Sequence, residues 1–114
     1  MPHILEMPAF TIRPGVAKAD FLCAHEKFNR EFMSVQPGYL SHKLVKNDKQ
    51  WFDIAVWESV EAKDKAFKDI YQNAAAVEYI ALIDQEGTDD DIPLFAVVKH
   101  YPNGGADSGA ASHI

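Results

Sequence analysis

The chain has 114 residues, 47% of them hydrophobic, and a formal net charge of −6. That length makes one domain, since a domain typically takes about 100–200 residues, and the acidic balance argues against nucleic acid or an anionic membrane as a partner. A single cysteine, Cys23, excludes an internal disulfide and a Cys-only metal site and suits a reducing compartment.

The N-terminal MPHILEMPAF lacks a basic segment followed by a long apolar one, so no signal peptide is expected. No apolar run approaches the roughly 18 residues of a membrane span, and the expected location is cytoplasmic. Residues 3–13 predict a strand in which Pro8 marks a bend or bulge. Pro14-Gly15 ends it. Residues 16–35 predict a helix. At about 100° per residue, Phe21, Ala24, Phe28, Phe32 and Val35 share a stripe, with His25 close enough to it to point inward.

Pro37-Gly38 breaks the helix. Tyr39 to Lys46 and Trp51 to Trp57 then read as two strands joined by the four-residue connection Asn47 to Gln50. That loop pairs Lys46 with Trp51, which sets Leu40 opposite Trp57, His42 opposite Ala55 and Leu44 opposite Asp53. Ser59 is a fitting N-cap for a helix over 60–73 that faces Phe67, Ile70, Tyr71 and Ala74 inward. Residues 74–84 predict a third helix or a continuation, with Val77, Ile80 and Leu82 or Ile83 inside. Residues 85–91 form an acidic loop, 93–101 an apolar last strand, and 102–114 a Gly, Ala and Ser rich tail expected to be mobile. The domain is thus residues 1–101.

The order βαββαβ is that of a ferredoxin-like α+β fold with a four-stranded antiparallel sheet. Right-handed crossovers put both main helices on one face. The other face then stands open, although Phe52, Ile54 and Val56 give it an apolar character. An oily face of that size is unusual on a monomer, so a homodimer packed sheet against sheet is expected.

The segments FTIRPG at 10–15, QPGY at 36–39 and VWESVEA at 56–62 resemble the antibiotic biosynthesis monooxygenase-like group of dimeric α+β barrels. The likeness covers roughly residues 5–101. It implies a cofactor-independent oxygenase of polyphenols or quinols, a haem-degrading enzyme, or one of the group's many members without an assigned activity. In the polyketide monooxygenases the tryptophan of the W-E-S motif lines the substrate pocket, which implies that role for Trp57. Where those enzymes carry an asparagine and a tyrosine, this chain has Asp53 and Lys63. At the positions of the haem branch's asparagine and tryptophan-histidine pair it has Pro8, Ala66 and Ala76.

Alternation puts Asp53 on the face of Trp57, with His42 diagonal to both. His25 points at the same space from the helix. These four define a candidate pocket walled by Phe21, Phe28, Phe32 and Phe67, and three readings of it stand. The histidines are core residues satisfied by Asp53 or backbone. Alternatively the pocket takes a small aromatic molecule, with His42 or His25 as general base, Asp53 orienting it and Trp57 stacking on the ring. The third is a two-His, one-carboxylate metal site made of His25, His42 and Asp53. The expected function is a cofactor-independent monooxygenase acting on a small aromatic or quinol-type metabolite, with no metal. A non-catalytic small-ligand binding protein is the alternative.

Overall fold

A computed structural model of the protein describes residues 2–85 and 92–102. The acidic run of 86–91 and the tail of 103–114 lie outside the described residues. Two β-strands, β1 (Ile4–Glu6) and β2 (Ala9–Phe10), precede helix α1 (Lys18–Phe28), which runs into a π turn (Asn29–Met33). Strands β3 (Tyr39–Lys46) and β4 (Trp51–Trp57) form the hairpin. Helix α2 (Val60–Lys68), a 3-10 turn (Ile70–Gln72), helix α3 (Ala74–Ile80) and strand β5 (Leu94–Ala96) complete the chain.

β1 and β2 are two halves of one strand. Both pair with β4 in a single continuous register, from Ile4 opposite Trp57 to Phe10 opposite Trp51. Pro8 interrupts this ladder without shifting it: its carbonyl still accepts from the Asp53 amide at 3.1 Å, but it has no N–H to return. The spatial order is therefore β3, β4, β1 with β2, β5, all antiparallel. This is the ferredoxin-like α+β arrangement.

One face of the sheet carries Glu6, Phe10, His42, Asp53, Ala55 and Trp57 toward the helices. Phe10, Phe21, Phe28, Phe32, Met33, Trp57, Ala66, Ala76 and Tyr79 form the core there. Burying a side chain of this size removes about 1.5–3 kcal/mol of exposed apolar surface cost, so this layer sets where the helices sit. Ser59 caps α2 by accepting from the Ala62 amide at 3.1 Å, and Asn73 caps α3 by accepting from the Ala76 amide at 2.9 Å.

Four details differ from the periodicity reading, the first three for a local reason. Met33 is buried in place of Val35, which is 65% exposed. The Ser34 amide bonds back to the Asn29 carbonyl five residues earlier, and that wider turn rotates everything after it. Tyr39, and not Leu40, stands opposite Trp57, because a bulge between Tyr39 and Ser41 absorbs one residue. The second helix stops at Lys68, and Asn73 adopts an extended backbone before α3 begins. Tyr71, Ala74 and Val77 are consequently exposed, and Ala75, Ala76 and Tyr79 take the inner face. Finally β5 is short: Val98 and Tyr101 are exposed beyond it.

Gly38 holds a left-handed backbone at φ +85°, and a Cβ there would stand 2.5 Å from the Cβ of Ala62. Its carbonyl accepts from the Glu58 amide at 2.8 Å, tying the start of β3 to the end of β4. Gly38→Ala is expected to lose about 1–3 kcal/mol of unfolding free energy in a denaturant titration.

Candidate functional site

Four elements converge on Asp53. β4 presents its carboxylate, and the hairpin register sets His42 beside it, opposite Ala55. His42 Nε2 donates to Asp53 Oδ1 at 2.5 Å, and His25 Nε2, from α1, donates to the same oxygen at 3.0 Å. Tyr79 Oη, from α3, donates to Oδ2 at 2.9 Å. The other nitrogen of His42 lies 2.9 Å from Asn29 Oδ1, and Tyr39 Oη donates to that oxygen at 3.3 Å. Both ends of the His42 ring are thereby fixed. The π turn starts at Asn29, so the wider turn that displaces Val35 begins at the residue that anchors His42.

The charge of Asp53 is set by these partners. Burial pushes its carboxyl up, but the hydrogen bonds and positive character of His25 and His42 more than reverse this and hold it at about 2. Tyr79 is driven well above its ordinary value, by burial first and by the adjacent Asp53 anion second. Asp53 is a fixed anion and Tyr79 a fixed donor. A carboxylate offers about four lone-pair directions, and the bonds from His25, His42 and Tyr79 leave one on Oδ2.

Above this anion lies a cavity of about 310 Å³ between helices and sheet. Glu6, His42, Asp53 and Ala55 contribute to its sheet side, and Phe10, Phe28, Met33, Phe67, Ile70, Tyr79, Ile80 and Ile83 wall it. Tyr71, 73% exposed, and Gln85 stand at its rim.

Sequence reasoning places His25, His42 and Asp53 together, and the structure brings them into hydrogen-bonding contact. Of the expected walls, Phe28 and Phe67 line the cavity. Phe21 and Phe32 do not: Phe21 packs against Trp51 at 5.1 Å, and Phe32 stacks on Phe28 at 5.6 Å, one layer behind. Trp57 is fully buried and also stands behind the cavity, edge-on to Phe67 at 5.6 Å. Its Nε1 donates to Glu6 Oε1 at 2.9 Å.

Two residues escape the sequence reading. Tyr79 is hidden by a helix phase drawn through Val77. Glu6, 4% exposed on β1, is hidden in an apolar segment, and its strand position opposite Ala55 is the available signal. Burial raises its carboxyl above the ordinary range; the Trp57 hydrogen bond and Lys63 oppose that rise, and Asp53 adds to it.

His25, His42 and Asp53 are also the residues that would hold a metal ion, offering ligand atoms within 4.8 Å of one another. As they stand, both nitrogens address Asp53 Oδ1 itself, so an ion would have to replace the two hydrogen bonds. Among the described residues no helix is long and apolar enough to cross a membrane.

No family model matches the chain, and no curated protein matches it. Among solved structures it is similar to SnoaB, a cofactor-independent oxygenase from Streptomyces nogalater, with a TM-score of 0.69 and 22% identity over 90% of this chain and 99% of that one. It is also similar to a proposed antibiotic biosynthesis monooxygenase from Caulobacter crescentus, with a TM-score of 0.67 and 15% identity over 86% and 92% of the two chains. A structure of MhuD with two manganese protoporphyrin IX molecules bound per active site aligns at a TM-score of 0.57, with 20% identity over 87% and 98%. The fold is that of the antibiotic biosynthesis monooxygenase structures.

Because the pKa of Asp53 is depressed, its stabilising effect is complete above the unfolded value near 3.8 and fades as pH falls toward about 2. Asp53→Asn cannot titrate. It is expected to be about 2 kcal/mol less stable than the parent at pH 7 and to converge with it near pH 2, as read from urea unfolding across that range.

Proposed function

We propose that the protein is a monooxygenase-like enzyme that binds a small hydroxylated aromatic compound of the phenol or quinol type in its helix–sheet cavity. The observation that carries this reading is an apolar cavity whose sheet side holds a fixed anion with one lone pair unfilled. Apolar walls favour a flat ring, and the spare direction on Asp53 Oδ2 fits a hydroxyl donor. His25 and His42 serve by fastening Asp53; with both nitrogens engaged, His42 is a positioning residue here rather than the base its sequence position implies. Loss of the hydroxyl proton makes such a ring a better one-electron donor to dioxygen, which is how an oxygenase of this kind works without a bound cofactor. The fold shared with a cofactor-independent oxygenase supports the same reading.

The alternative is a binding protein that keeps the cavity and lacks turnover. Lys63, where the polyketide enzymes carry a tyrosine, favours it; its ammonium is held by Asp64 at 2.9 Å. Oxygen consumption with a panel of naphthoquinols separates the two. The parent is expected to consume oxygen, and His42→Ala to do so about 10²-fold more slowly through loss of positioning. Ligand binding, seen as quenching of tryptophan fluorescence, with no oxygen uptake would leave the binding protein.

We further propose that the second sheet face is covered by another copy of this chain. Phe52, Ile54 and Val56 are half-buried there beside Leu5, and Phe95 and Val45 are exposed. Sedimentation at micromolar concentration is expected to give a dimer, and Ile54→Lys to give single chains, since the burial of one charged side chain unpaired in such a seam is costly.

A further inference from the structure

Glu6 does more than the fold asks of it. Its Oε1 accepts the Trp57 indole N–H at 2.9 Å, but a glutamine would make that bond without burying an ionisable group. Its second oxygen has no hydrogen-bond partner among the described residues, while the side chain is 4% exposed and lines the cavity. Glu6 lies opposite Ala55 on one flank of β4, and His42 lies opposite the same residue on the other flank. Glu6 and Asp53 are diagonal neighbours on one sheet face, about 7–8 Å apart at Cα. The cavity therefore offers two separate carboxyl groups to one ligand.

We propose that Glu6 is the general base of this cavity and that the ligand is an aromatic ring carrying two hydroxyl groups, one held by Asp53 and the other giving its proton to Glu6. This rests on the aromatic-ligand reading of the site and extends it. In the step, the ligand's O–H bond breaks and an O–H bond forms on the free oxygen of Glu6. The electron pair stays on the ligand oxygen, leaving a quinol monoanion. Asp53, tied down by three donors, is too weak a base for this. Glu6 is raised by burial and by Asp53; Lys63 from α2, His42 from β3 and the Trp57 indole hold the rise in check, and its β5 neighbour, Leu94, is uncharged. A carboxyl shifted upward in this way is better matched to proton exchange near neutral pH.

The test measures binding without oxygen, so that it is independent of turnover. 1,4-Dihydroxynaphthalene and its monomethyl ether, 4-methoxy-1-naphthol, are titrated into the parent and into Glu6→Gln at pH 8, with tryptophan quenching as readout. An ionised Glu6 has no proton to offer an ether oxygen. The parent is expected to prefer the diol by about tenfold or more, and Glu6→Gln, whose amide donates to either oxygen, by less than about threefold. The parent's preference is expected to shrink as pH falls and Glu6 becomes protonated. If Glu6→Gln fails to fold, as judged by thermal unfolding, this pH dependence in the parent decides the matter alone.

Equal affinity of the parent for the two probes, binding of neither, or an undiminished preference in Glu6→Gln overturns the proposal. A parent that prefers the diol yet consumes no oxygen keeps the role of Glu6 in binding and loses the oxygenase activity. A parent that consumes oxygen without this preference keeps the activity and loses Glu6.

Discussion

The carboxylate of Asp53 is the point on which the helices and the sheet agree. A charge so deeply placed is costly unless its lone pairs are met by donors, and the donors come from α1, β3 and α3. Each donor is held in turn: His42 by Asn29, His25 between the rings of Phe21 and Phe28, and Tyr79 by stacking on Phe28 at 4.6 Å. Removing the anion would leave three polar groups facing one another across an apolar layer. The arrangement thus fixes the angle of both helical elements to the sheet as well as the chemistry of the cavity.

Two carboxyl groups on one sheet face are driven in opposite directions by the number of donors around them. Asp53 gathers two imidazoles and a phenol and is held low; Glu6 has one indole and is pushed up by burial. Neither residue type dictates this. A pair of acids whose environments separate them in this way can divide the work of holding and of proton exchange.

Much of the architecture was legible because period-2 and period-3.6 patterns are local properties of the chain. The limits of β3 and β4 and the pairing of His42 with Ala55 come from alternation and loop length, and the Ser59 cap from the hydroxyl at the helix start. The site was legible in its centre for the same reason: His42 and Asp53 are set by register, and His25 by helical phase. What could not be read depended on departures from those periods. The phase of α3 is reset by an extended Asn73, which conceals Tyr79. The motif around Trp57 points to stacking on a ligand, whereas the cross-strand partner that claims its indole, Glu6, comes from 51 residues earlier in the chain. Its distance in sequence is what concealed both roles.

The meeting of Asn29 and His42 depends on counting as much as on chemistry. Thirteen positions separate them, and this span contains two one-residue irregularities: the widened turn that starts at Asn29 and the bulge after Tyr39. Each shifts the phase of every residue beyond it. A homologue that keeps both side chains but drops one residue between them would swing the imidazole to the far side of the strand, or the amide round the helix. Length between Asn29 and His42 is therefore a sharper mark of shared chemistry in a relative than the presence of either residue.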